Sequence, residues 1–323
     1  MSRAIFSVVS AGPHVTIQDG GRPGLMRFGV PASGPMDPEA FAIANAALGN
    51  LDEAPGLEIS LAGVTLDCVE GAVTVAVAGG GFQVRIDTDL QGSWTVATLR
   101  AGSRLTVTAG PWGSWTYLTF AGALQANRWL GSVATHGPSG LGGGKLVAGQ
   151  QIVIADARVR PDREGVIPCP VTARPRREVK VVLGPQERFF PATTIDRFLS
   201  SPFALTDAYD RMGVRLAGPP LPPEGRLDMP SEPIVRGSIQ VSGEGHCTVL
   251  LADHQTTGGY PKIATIVSDH INGLVQLRSR SQLSFVPTTP SAAVQTLRAK
   301  REVHDRFMER LRLGGSKPSC AQR

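Results

Sequence analysis

Charge is scarce in this chain, cysteine is scarcer, and long apolar runs are absent. Charged residues make up 18% of the 323 residues and hydrophobic residues 41%. No stretch reaches the roughly 18 consecutive apolar residues of a membrane-spanning helix, so no membrane span is expected. The four cysteines, Cys68, Cys169, Cys247 and Cys320, form no C-x-x-C pair. Their one adjacent histidine, His246, would face away from Cys247 on a strand, so no metal site is expected. The apolar run within residues 1–10 is too short for a signal peptide, which points to a cytoplasmic protein with reduced thiols. The formal charge of +5 lies wholly in residues 296–323, which hold eight Lys or Arg and three Asp or Glu. A charge confined to the tail does not suggest a nucleic-acid groove. Two glycine-rich stretches, Ala78-Gly-Gly-Gly81 and the segment from Leu130 to Lys145, lack the Gly-Lys-Ser/Thr of a phosphate loop. The first reads as a bulge. The second reads as an ordered loop in which His136 and Lys145 face solvent.

What the chain does have is turns, with 38 Gly and 25 Pro. Between them lie short runs rich in Val, Ile, Leu and Thr, the pattern of a barrel or sandwich rather than of alternating βα units. Asp37-Pro38 followed by an apolar stretch ending at Gly49 is a capped helix. Residues 156–178 are rich in Arg and Pro and carry no periodicity, which places a domain boundary there. The second half echoes the first: Val179-Lys-Val-Val-Leu-Gly-Pro185 follows the pattern of Ser7-Val-Val-Ser-Ala-Gly-Pro13, and three further matches keep the same order. The fold expected is mainly β, with two related cyclophilin-like β-barrel domains, a few short helices and a C-terminal helix. The expected domains are residues 1–160 and 178–290, followed by a basic helix and tail at 291–323. The amphipathic helix from Pro290 to Gly314-Gly315 should pack on the body or on a partner.

Two loops carry the polar chemistry. Asp253-His-Gln-Thr-Thr-Gly-Gly-Tyr260 follows an apolar strand, and Gly258-Gly259 permits close approach of a ligand. Arg22-Pro-Gly24 and Ser33-Gly-Pro-Met-Asp37 form the second group. Asp37 has a capping role compatible with a site role. The residues also read more plainly: Arg22 paired with Asp19 on the surface, Arg211 paired with Asp210, and Glu232 and Gln240 as turn or solvent-face residues.

Ile17-Gln-Asp-Gly-Gly-Arg22, Gly29-Val-Pro-Ala-Ser-Gly-Pro-Met-Asp37, Gly56-Leu-Glu58, Asp210-Arg-Met-Gly-Val-Arg-Leu216, Gly237-Ser-Ile-Gln240 and Asp253-His-Gln-Thr-Thr-Gly-Gly-Tyr-Pro261 together resemble the biotin-dependent carboxyltransferase family. That family is also called KipA-like or allophanate hydrolase subunit 2-like, and it includes the C subunit of ATP-dependent 5-oxoprolinase. The resemblance implies the cyclophilin-like barrels. It also implies an enzyme that opens 5-oxoproline to glutamate with two partners, one KipI-like (the B subunit) and one LamB/YcsF-like (the A subunit). ATP would be used by the complex, at a site not within this chain alone. One alternative is the carboxyltransferase component of a biotin-dependent enzyme, working on urea or another amide with a separate biotin carrier, since the chain has no Met-Lys-Met biotinylation site and no ATP-grasp region. The other is a non-catalytic regulator that binds a KipI-like kinase inhibitor.

The candidate catalytic residues are Arg22, Asp37, Arg211 and Thr257. The candidate binders of a small lactam or amide are Ser33, Gly34, Met36, Asp253, Gln255, Thr256, Gly258, Gly259 and Tyr260. All of these loops are expected to meet in one cleft.

Overall fold

A computed structural model describes residues 2–224 and 229–314. Cys320 and the expected helix stop at Gly315 lie outside them. The protein is mainly β. Its first part forms a seven-stranded sheet, in the order Ala123–Leu124, Gln151–Ala155, Arg3–Ala11, Val64–Glu70, Arg104–Trp112, Gly81–Ile86, Asp89–Gly92. A six-stranded sheet accompanies it, in the order Gly165–Val166, Thr95–Arg100, Ala72–Ala78, Trp115–Phe120, Gly56–Ser60, Thr16–Gln18. The second part is a closed barrel of Glu178–Leu183, Lys262–Ile266, Ser238–Val241, Cys247–Leu250, Gly213–Ala217, Phe203–Tyr209 and Gln282–Pro287. The barrel closes through the parallel pairing of Glu178–Leu183 with Gln282–Pro287. Among the described residues, no helix is long and apolar enough to cross a membrane.

Helix α1 (Pro38–Leu48) starts where the sequence places it. Asp37 Oδ1 accepts from Ala40 N at 3.1 Å, Pro38 occupies the first turn, and Gly49 at φ 75° closes the helix. This helix covers the six-stranded sheet along Trp115–Phe120 and Ala72–Ala78. With sheet below and helix above, Trp115–Phe120 and Gly56–Ser60 are buried at every position. The alternation of a half-buried strand is therefore lost, and Glu58 is drawn into the interior. Helices α2 (Ala192–Ser200) and α3 (Ser268–Val275) flank the barrel.

Helix α4 (Pro290–Arg312) packs back on α1, with Met308 buried. Arg163 joins the two helix ends, donating to Ala47 O at 3.3 Å, Leu311 O at 3.0 Å and Arg312 O at 2.6 Å. Those carbonyls belong to the last turns of α1 and α4, where no partner exists within the helix. The segment 156–178 lies along the first part, with Gly165–Val166 paired to Thr95–Val96.

Sheets and barrel meet through Gln276, at the end of α3. Its Oε1 accepts from Ser114 N at 3.0 Å and Trp115 N at 3.2 Å, and its Nε2 donates to Asp37 at 2.9 Å. Arg278 adds bonds to the carbonyls of Gly113 and Gly110. This seam positions the candidate site.

Candidate active site at the seam between sheets and barrel

Asp210 does not pair with Arg211. Its Oδ1 accepts from Met212 N at 2.8 Å and Gly213 N at 3.1 Å, a tight turn that sends the Arg211 side chain inward. There Arg211 grips Asp253 with two bonds, Nε to Oδ2 at 2.8 Å and Nη2 to Oδ1 at 3.0 Å. Nη1 donates to Glu58, and Nη2 also donates to Gly34 O at 2.7 Å. All three charged side chains are buried, Arg211 at 4% exposure and both carboxylates at 0%. Burial opposes the Arg211 charge, but the two carboxylates outweigh it and hold the guanidinium more firmly protonated than usual. Burial likewise pushes Asp253 up, and Arg211 more than offsets it, leaving the carboxyl below its ordinary range.

The network continues into the sheet. Glu58 Oε2 accepts from Met36 N at 2.6 Å and from the Tyr117 hydroxyl at 3.1 Å, and that hydroxyl accepts from Asp37 N at 2.6 Å. Tyr117 stays protonated, its acidity suppressed by burial and by the neighbouring carboxylates. Asp37 is 1% exposed, with both oxygens occupied by Ala40 N and Gln276 Nε2. Burial pushes its carboxyl up to about 6 despite those two donors. Met36 is fully buried and contributes its backbone, its carbonyl accepting from Arg236. Gly34, at φ 82°, occupies the left-handed region and presents its carbonyl to Arg211.

Arg22 approaches from the other side. It is 3% exposed and does not pair with Asp19, whose carboxylate accepts from Gly21 N, Ser132 Oγ and Val133 N. The Arg22 guanidinium stacks on Trp129 at 4.6 Å and donates to Ala134 O and, at 3.4 Å, to Trp129 O. Its Nη1 is buried without a partner. Ser33 Oγ is buried beside Asp253, where it helps to hold the carboxylate charge without a well-aligned hydrogen bond. The glycine-rich segment after Trp129 covers this corner, and Gly137 N donates to Asp253 Oδ2 at 3.0 Å. The neighbouring His136 is half-buried, with Nδ1 bonded to Ser139 Oγ at 2.8 Å. Burial lowers its basicity, with Asp253 opposing and Arg22 and Arg211 reinforcing.

An open groove of about 1000 Å³ lies on the barrel side. Met212, Gln240, Gln255 and Tyr260, from three of the sequence motifs, line it together with Tyr209 and His14. Gln240 is buried rather than on a solvent face, and its amide contacts Gln255 and Tyr260 O. A Cβ on Gly258 would lie 2.4 Å from Gln240 Nε2, so this glycine lets the loop close on the glutamine. Glu232 is tied to buried Lys262 and to Gln186 rather than standing free in a turn. His254 is buried, its basicity lowered by burial, with Nδ1 bonded to Gln255 O at 2.6 Å.

A family model, "Carboxyltransferase domain, subdomain A and B", matches residues 28–287. The chain belongs to this carboxyltransferase family. The C subunit of 5-oxoprolinase from Escherichia coli K12 is 31% identical over 311 residues, covering 95% of this chain and 97% of that protein. The Haemophilus influenzae protein of the same name is 30% identical, covering 93% and 96%. The solved Kluyveromyces lactis urea carboxylase superposes with a TM-score of 0.83 at 25% identity, covering 95% of this chain. The chain spans 29% of that enzyme's length.

Ser33, Gly34, Arg211 and Asp253, within the matched residues, gather in one buried corner with Arg22, which precedes them, while Gln255 and Tyr260 line the groove. Thr257 is exposed, on a two-residue strand paired with Glu232–Pro233, and Thr256 presents its carbonyl to Ile234 N. A Cβ on Gly259 would meet nothing closer than 3.8 Å, so this position is open. Sequence reasoning missed Glu58, Tyr117, Trp129 and Arg236. Only Glu58, a carboxylate between Leu57 and Ile59 in an otherwise apolar strand, left a signal.

Proposed function

We propose that this chain is the C-type subunit of an ATP-dependent 5-oxoprolinase, opening the lactam of 5-oxoproline to glutamate together with KipI-like and LamB/YcsF-like partners. The observation that carries this reading is the match in both directions: 95% of the chain aligns with 97% of the E. coli protein. ATP would drive the opening at a site not confined to this chain.

In this reading the groove admits the small lactam, and the buried corner supplies fixed donors to its oxygens. Arg211 is a positioning residue, because its bonds go to Asp253, Glu58 and Gly34 O. Free donors remain on Arg22 and Ser33. The test is reconstitution of the three purified proteins, assayed for glutamate and ADP from 5-oxoproline. Formation of neither product by an assembled complex rejects the reading.

A second reading, a carboxyltransferase working with a separate biotin carrier on urea or another amide, is favoured by the likeness to urea carboxylase. Carboxylation of urea by this chain with a carrier bearing carboxybiotin, releasing free biotin on the carrier, without glutamate formation from 5-oxoproline, would establish it instead.

A further inference from the structure

Arg22 is a buried cation whose hydrogen bonds are incomplete. Guanidinium cannot lose its proton in a protein, so a buried N–H without an acceptor is a standing cost unless a ligand meets it. Its ordered partners are two carbonyls and the face of Trp129, and no carboxylate is bonded to it. Asp19 is committed to the turn at Gly21 and Ser132, and both Asp253 oxygens are held by Arg211 and Gly137. A further buried donor in this corner, Ser33 Oγ, lies beside the same Asp253, whose charge it helps to hold, and makes no well-aligned hydrogen bond. The charged groups facing His136, at the rim of this corner, are one carboxylate, Asp253, and two guanidinium groups, Arg22 and Arg211. Arg22 itself feels two carboxylates, Asp19 and Asp253, and both are already committed to other donors.

We infer that Arg22 Nη1 and Ser33 Oγ form a carboxylate subsite beneath segment 136–144, which takes the acid group of the lactam substrate rather than its ring carbonyl. The planar guanidinium suits a carboxylate, and the hydroxyl supplies the second donor. Trp129 fixes the guanidinium plane by stacking. The cover is bonded within itself as well as to the body. His136 N bonds Leu141 O and Gly140 N bonds His136 O, both at 2.9 Å, while Gly137 N ties the tip to Asp253. The root is pinned by Gly143 N to Val133 O and Gly144 N to Thr135 Oγ1. The inference rests on the 5-oxoprolinase reading for the identity of the lactam acid. It adds that an acid group is required for recognition, which a urea-like substrate lacks.

The test compares three probes on the purified wild-type chain by ligand-observed NMR. These are 5-oxoproline, 2-pyrrolidinone (the same ring without the acid) and acetate (the acid without the ring). The expected result is binding of 5-oxoproline at least about tenfold tighter than either, the scale of one charge-assisted contact. Equal binding of 2-pyrrolidinone, or no binding of 5-oxoproline, overturns the subsite. Acetate binding as tightly as 5-oxoproline would mean a site for carboxylate of any source and overturns the lactam assignment.

In the reconstituted complex, Arg22→Gln should raise KM for 5-oxoproline roughly 10- to 100-fold with kcat less affected, and Arg22→Lys should recover part of it. Arg22→Lys is the control should the glutamine variant fold poorly. Wild-type KM in folded Arg22→Gln, or a KM in Arg22→Lys no better than in Arg22→Gln, removes the subsite and leaves the 5-oxoprolinase reading standing. Arg22-dependent binding without glutamate formation does the reverse.

Discussion

Replacing Arg211 with methionine tests whether the Glu58–Arg211–Asp253 network holds the sheets and the barrel in register. The substitution keeps most of the aliphatic volume and removes the charge. It deletes two bonds to Asp253 at 2.8 and 3.0 Å, one to Gly34 O at 2.7 Å and one to Glu58. Two carboxylates at 0% exposure then have no cation bonded to them. Breaking a buried pair by removing one partner costs about 3–5 kcal/mol, mostly the penalty for the stranded charge, so a loss of about 4 kcal/mol is expected. The pH dependence has a definite sign. Wild-type Asp253 has a depressed folded pKa, so its stabilisation is present above the unfolded value and lost as pH falls through the folded one. Without Arg211, burial, the largest influence on Asp253, pushes it upward against only the donors Gly137 N and Ser33. The deficit relative to wild type should therefore be largest near neutral pH and should shrink toward about pH 4, the unfolded carboxylate value. The assay is urea unfolding of both proteins across that range. Adding Glu58→Gln and Asp253→Asn to Arg211→Met should restore much of the loss, because no unpaired buried charge remains. A methionine variant within about 1 kcal/mol of wild type at neutral pH, or a deficit that widens in acid, would refute the argument.

Other perturbations separate the remaining roles. Asp37 titrates near 6 when folded, so its contribution is fully present below about pH 4 and is lost as pH rises through 6; Asp37→Asn should flatten the stability profile between those values, and an unchanged slope by thermal unfolding would count against the assignment. His304 is raised by its contact with Glu39 at 3.6 Å. His304→Ala should therefore destabilise below about pH 6.5, by about 1 kcal/mol at this partly exposed pair, and lose that effect in alkali; an equal loss at all pH values would mean packing rather than charge. Thr257→Val, at an exposed position, should leave the unfolding midpoint unchanged; a fall in complex turnover of about 100-fold would restore Thr257 to a donor role, and wild-type turnover would leave it without one.

Local chemistry is legible in the sequence wherever its cause is local. Asp37, Pro38 and Gly49 define α1 because capping involves neighbours three residues apart or fewer. The turn-separated apolar runs announce a β protein, and the ordered motifs announce the family. The expected barrel pair is realised as a closed barrel in the second part and two sheets in the first. Burial, in contrast, depends on partners the sequence does not show together. Arg211 meets Glu58 across 153 residues and Gln276 meets Asp37 across 239. Nothing near Arg211 distinguishes a surface pair with Asp210 from an inward guanidinium.

The same dependence on distant partners separates Arg22 from Thr257. Both are polar residues beside glycines, and by local composition each is equally suited to a turn or a site. What distinguishes them is what packs over them. Thr257 sits on a short exposed ladder, where its hydroxyl can always be satisfied by water. Arg22 is stacked on Trp129 and buried, and its Nη1 has no protein acceptor. A buried guanidinium with an open donor and no carboxylate bonded to it leaves a place for an acceptor, which makes Arg22 a stronger indicator of ligand than any feature of its own loop.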